Sequence, residues 1–160
     1  MNIPSYISIL SQPLGFWIAN CNANNVPEVV RCMGLAPVTD PEQLTVFIPE
    51  VWSHLFVANL ATGKKITFMA TSVPTYESYQ YKGEYLSFRP CTEEEVALQR
   101  MYLDGFGDEI VKVGLSKARF SQSFFHQPSL AITFRITEVF DQTPYKGTGA
   151  QVNKKGAAHE

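Results

Sequence analysis

Apolar and polar positions alternate with a period of two over several short stretches of this chain, and that alternation predicts strands. The clearest run is 130–136, where Leu130, Ile132, Phe134 and Ile136 alternate with Ala131, Thr133 and Arg135. GFWIANCN, from Gly15, alternates in the same way and ends in the turn chemistry of Asn22-Ala23-Asn24-Asn25. Pro27 to Leu35 reads as the return strand of a hairpin, and the β-branched run Leu44 to Ile48 as a third strand. Lys65 to Thr71 is the fourth and Tyr76 to Phe88 the fifth, with Gly83 placed where the apolar face changes register, as at a bulge.

The helical signals are fewer. Ile3 to Ser11 suits a short opening helix. Pro49 and Glu50 open a second through Ala61, with Val51, Leu55 and Ala58 at helical spacing. Thr92-Glu93-Glu94-Glu95 is a capping-box signature for a helix to about Leu103. Asp104-Gly105-Phe106-Gly107 predicts a break, with another helix from Asp108 to Gly114. Residues 1–145 thus form one domain and 146–160 a flexible polar tail that is too glycine-rich and polar to build core. Six strands in hairpin order, with no βαβ periodicity, point to a mainly β fold with flanking helices, closed as a barrel that removes exposed edges.

Charge and composition narrow the function. A formal charge of −2 argues against a general nucleic-acid binder, which needs a basic field. Cys21, Cys32 and Cys91 form no CxxC pair, and His54, His126 and His159 have no metal-ligand spacing. No signal peptide or bilayer-length apolar run is expected, which makes a cytoplasmic protein the default. No nucleophile–base pattern, GxGxxG or phosphate-loop motif stands out.

The candidate chemistry lies in polar residues placed among core-like ones. Arg31 in PEVVRCMG can grip a phosphate or carboxylate through two parallel hydrogen bonds, or lie on a solvent face beside an acid. Ser53 and His54 stand at the start of the second helix, where N–H groups attract anions, although a serine there can simply cap. Gln80 and Lys82 share a strand face, fit either for a heterocycle edge and a phosphate or for solvent. The Cys32 thiol reads as buried and inert.

The order of these pieces resembles the pyridoxamine 5′-phosphate oxidase-like family of FMN-binding split barrels. The matching stretches are VRCMG, LTVFIP followed by a serine-started helix and ANLATGKKITF, the strand Tyr79-Gln80-Tyr81-Lys82-Gly83, and ITFRITEVFDQTP. They span about residues 5 to 145. The resemblance implies a six-stranded antiparallel Greek-key split β-barrel, a homodimer with FMN at the subunit interface, and oxidoreduction of a small-molecule substrate. It implies a cofactor-binding set of Arg31, Cys32, Phe47, Ile48, Pro49, Ser53, His54, Gln80 and Lys82, with Arg31 and Ser53 near the phosphate. Where members commonly carry Arg or Lys after the helix-start serine, this chain has His54 and then Leu55. Deazaflavin or haem in the same barrel, and a non-enzymatic dimeric module, are the competing expectations.

Overall fold

The sheet closes on itself at a single pair of residues. The computed structural model describes residues 3–145 and 148–153, apart from the side chains of 120–122. Its seven strands are β1 (Gly15–Cys21), β2 (Pro27–Arg31), β3 (Gly34–Leu35), β4 (Gln43–Pro49), β5 (Lys65–Thr71), β6 (Ser78–Pro90) and β7 (Ser129–Asp141). They form one sheet in the order β2-β1-β5-β6-β7-β4-β3, antiparallel throughout. The two edge strands, β2 and β3, are therefore neighbours in sequence. Between them the Cys32 N–H donates to Phe16 O at 3.0 Å, and the Met33 N–H donates to Phe47 O at 2.7 Å. One amide thus bonds β1 and the next bonds β4, so the sheet curls round to a seam.

This seam corrects the expected count of six strands. Pro27 to Leu35 is two strands, because the chain exchanges partners at Cys32–Met33 and Gly34 adopts φ +142°, a conformation open chiefly to glycine. The bulge in β6 does fall at Lys82/Gly83. A Cβ on Gly83 would lie 2.3 Å from Arg135 O, so no side chain fits there.

Inside the curl, alternate residues pack as the period of two requires: Phe16, Ile18, Val30, Val46, Ile48, Phe68, Tyr81, Ile132 and Phe134 are all buried. Each such large apolar side chain contributes roughly 1.5–3 kcal/mol by leaving water. Helix α1 (Ser5–Ser8) and a following 3-10 turn open the chain. A 3-10 turn at Glu50–Trp52 and then α2 (His54–Leu60) follow β4. Helix α2 closes one end of β1, where the Asn20 side chain donates to Phe56 O at 2.8 Å and accepts from Asn59 at 3.1 Å.

The other end is covered by α3 (Glu93–Lys112), which starts at the expected capping box between Thr92 and Glu95. Its Tyr102 hydroxyl bonds both backbone groups of Leu14, and its ring stacks on Phe16 at 4.9 Å. The expected break at Asp104–Gly107 is absent, and α3 runs straight through it. Gly105 and Gly107 instead allow close approach, since Cβ atoms there would meet Pro13 at 3.4 Å and Lys117 at 2.9 Å. A further helix, α4 (Lys117–Phe124), folds back on α3 and was not foreseen. Part of the polar tail is held along β7: Val152 N–H donates to Val139 O, and Asp141 N–H to Ala150 O. The rest of that tail, 146–147 and 154–160, lies outside the described residues.

Candidate functional site

Strand alternation that buries Phe16, Ile18, Phe68 and Tyr81 turns the residues between them to the outer face. Cross-strand register there aligns Arg31, Trp17, Met69, Gln80 and Phe140 in one row across β2, β1, β5, β6 and β7. The adjacent row holds Val29, Ala19, Thr67, Lys82 and Glu138. Three sequence-predicted residues, Arg31, Gln80 and Lys82, therefore share one face. Three strand spacings separate Arg31 from Gln80, about 14 Å along the sheet. Between them stand exposed Trp17 and half-buried Met69. The Lys82 ammonium lies 4.6 Å from the centre of the Phe140 ring.

Arg31 is set among aromatic rings. Its guanidinium carbon is 3.6 Å from the centre of Phe124, 5.4 Å from Phe106 and 5.8 Å from Trp17. Such contacts attract a cation through the ring quadrupole and fix the plane of the guanidinium. Burial lowers the Arg31 pKa to about 10, which leaves it charged at neutral pH.

The seam brings the end of β4 beside this arginine, because Met33, two residues on, bonds Phe47. Met33 continues the cluster: its Sδ accepts from the His126 backbone N–H at 3.4 Å. The His126 ring in turn lies 4.1 Å from that of Trp52. Ser53 and His54 follow directly. Ser53 is buried, and its hydroxyl donates to Glu50 O at 3.0 Å instead of capping α2. His54 is exposed.

Other members of the predicted set sit inside the protein. Cys32 and Ile48 belong to the barrel core, and Phe47 is fully buried. Pro49 is buried too. The Cys32 thiol is pushed well above its ordinary range by burial, in keeping with an inert group. What these positions can offer a ligand is backbone, and the Cys32 N–H and Phe47 C=O are already used in the seam.

Sequence reasoning missed the aromatic surround of Arg31 and the Trp52–His126 pair. Trp17 was within reach, since the alternation of GFWIANC sets it out of phase with Phe16 and Ile18. Phe106 and Phe124 arrive from distant helices, with no local signal. Among the described residues no cluster of His, Cys, Asp or Glu could hold a metal, and no helix is long and apolar enough to cross a membrane.

No protein-family model matches the chain, and no curated protein matches it either. Solved structures do share its fold. A Lactobacillus delbrueckii protein provisionally named a pyridoxamine 5′-phosphate oxidase aligns with a TM-score of 0.53 at 14% identity, covering 86% of this chain and 93% of its own. HupZ of Group A Streptococcus aligns at 0.56 and 11% identity, over 93% and 99% of the two chains. An F420 reductase aligns at 0.53 and 15% identity, over 86% and 98%. What these structures share with the chain is the fold, a curled antiparallel sheet of split-barrel type with flanking helices.

Proposed function

We propose that this protein is a flavin-binding split-barrel oxidoreductase that holds FMN against the outer face of β2, β1, β5 and β6 and acts on a small molecule. The observation that carries this reading is the shared face: a guanidinium, an ammonium and a carboxamide on a sheet surface whose other positions are Trp17, Ala19, Val29, Thr67 and Met69. That donor set fits an anionic ligand with a flat ring. A phosphate takes charge-assisted hydrogen bonds from Arg or Lys, and a heterocycle edge takes them from a carboxamide. FMN, when bound, supplies the redox chemistry, and the protein supplies position and access.

Arg31 holds the phosphate, oriented by the rings stacked about it. Arg31 and Lys82 stand three strand spacings apart and in different rows, and the Lys82 ammonium is turned to Phe140 on the side away from Arg31, so one phosphate does not bridge the two within a chain. Gln80 and Lys82 therefore serve the ring edge, or the phosphate of a ligand shared with a second copy. Exposed Trp17 and Val29 on this face favour such a homodimer, since apolar side chains there gain from being covered. Ser53, His54 and the Phe47–Pro49 backbone flank the same ligand at the seam. No side chain is assigned as a catalytic acid, base or nucleophile. Three free cysteines accord with a reducing, cytoplasmic setting.

A second reading replaces FMN with a deazaflavin, favoured by the likeness to an F420 reductase. Purification from a flavin-replete host tests both. The expected product is yellow, and the stripped protein quenches added FMN fluorescence more strongly than that of a deazaflavin. A colourless protein that leaves both ligands unquenched would overturn the proposal.

A further inference from the structure

Away from the outer sheet face, a partly open cavity of about 620 Å³ lies between the opening helix, the segment after β3 and α3. Ile7 forms one wall, Leu35 and Val38 a second, and Leu98, Met101 and Tyr102 the third. Among the described residues that line it, none is charged. A cavity of about 590 Å³ on the outer face contrasts with it, being bordered by Lys65, Lys82, Glu84 and Glu138. The volume lies in the range of small-molecule sites, which are mostly apolar with a few polar groups.

We propose that this cavity is a binding site for an uncharged, mainly apolar small molecule, a ring or short chain carrying at most one hydroxyl or amide. Three observations select that class. A charged ligand would lose hydration against these walls and meet no counter-charge. The polar side chains on offer are neutral: the Gln12 carboxamide, and the hydroxyls of Ser8 and Ser11, which each donate to a backbone carbonyl within the opening turns and leave oxygen lone pairs as acceptors. The Tyr102 hydroxyl is turned inward to Leu14, so the cavity receives ring surface from it and no phenol donor. At the mouth, Met101 is 67% exposed and Ile3 64% exposed, and the unbranched Met101 side chain is able to fold over an occupant. The concave, three-walled shape suits a small molecule more than the flat surface of a second copy. Tyr102 also packs on Gly34 beside the seam, so an occupant would press on the segment that carries Arg31.

The whole 160-residue chain, with whatever cofactor it carries, can be titrated with the neutral dye N-phenyl-1-naphthylamine. Saturable, blue-shifted emission at one dye per chain is expected. Met101→Glu should weaken it at least about tenfold by placing a charge at the mouth. Leu115→Glu, at an exposed apolar residue outside the cavity, should leave it unchanged. Hexanol should displace the dye at concentrations at which hexanoate at pH 8 does not. Non-saturable binding to the native protein, equal displacement by hexanoate, or a Met101→Glu variant that binds as well as the native chain would each overturn the proposal. So would a loss of dimer mass in Met101→Glu, which would make the groove an interface between copies. The displacement pair needs no variant, so a misfolded substitution leaves the test intact. The titration is run on flavin-free protein as well as on the protein as purified, which keeps failure here separate from failure of the flavin reading.

Discussion

The Met33 amide bonds the Phe47 carbonyl at 2.7 Å, one residue after the Cys32 amide has bonded Phe16. Through this contact the first hairpin and β4, which lie at opposite ends of the strand order, become neighbours. The same contact sets Arg31 on the outer face next to the β4–α2 turn. Fold closure and the candidate site therefore share two residues of backbone.

Gly34 makes that crossing possible, with φ +142° and Tyr102 packed on its Cα side. A Cβ would stand 3.2 Å from the Tyr102 ring. Gly34→Val should cost about 1–3 kcal/mol through backbone strain alone. Urea denaturation would show a lower midpoint with a similar slope, and an unchanged midpoint would mean the seam tolerates a side chain.

A helix that runs through two glycines invites the opposite experiment. Gly105→Ala adds a Cβ at ordinary contact distance, 3.4 Å from Pro13, in the middle of α3. Helix propensity then favours alanine by up to about 1 kcal/mol. Gly107→Ala should gain less, because its Cβ must displace Lys117, which bridges Asp104 and Asp108. Thermal denaturation should rank Gly105→Ala above the native chain. A lower melting temperature would argue that this turn of α3 needs glycine.

Much of this architecture was legible because it is local. Alternation marked 130–136 and Gly15–Cys21, Thr92 and Glu95 marked the start of α3, and Gly83 marked the bulge in β6. Period two also placed Gln80 with Lys82, and register then joined them to Arg31. The seam was hidden because Cys32 and Met33 choose partners far away in sequence, and no residue pattern announces a change of partner. The glycines of α3 misled for a related reason: their neighbours Pro13 and Lys117, which decide whether the helix continues, are tertiary. The site was readable as a face and unreadable as an environment, since Phe106 and Phe124 reach Arg31 from helices much later in the chain.

Alkaline pH should loosen the barrel. Burial raises the Cys32 thiol and the Tyr81 and Tyr102 hydroxyls above their ordinary values of 9.0 and 10.0. Once unfolded, the thiol loses its proton near pH 9 and the phenols near pH 10, while the folded protein retains them. The folded state then binds more protons, and stability falls as pH rises. Arg31 acts in the opposite sense above about pH 10, where its folded pKa lies below its ordinary one. Between pH 9 and 10 the thiol dominates among these four, at up to about 1.4 kcal/mol per pH unit. Cys32→Ala should start from a lower stability but lose less of it across that interval. Parallel urea midpoints for the two proteins from pH 8 to 10 would refute the assignment.

Lys82 gives the cleanest test of the outer face as a cofactor seat, because it is exposed and its loss leaves the core untouched. A charged hydrogen bond to a ligand contributes roughly 1.5–3 kcal/mol, reduced where solvent reaches it. Lys82→Ala should therefore weaken FMN binding by about tenfold, with a smaller loss for Gln80→Ala. Arg31→Lys retains the charge but gives up the planar group that packs between Phe124 and Phe106, so it should weaken binding with little change in folding. Flavin fluorescence quenching gives each dissociation constant, and circular dichroism checks the fold. Native affinity in a chain carrying both Lys82→Ala and Arg31→Lys would move the cofactor away from this face.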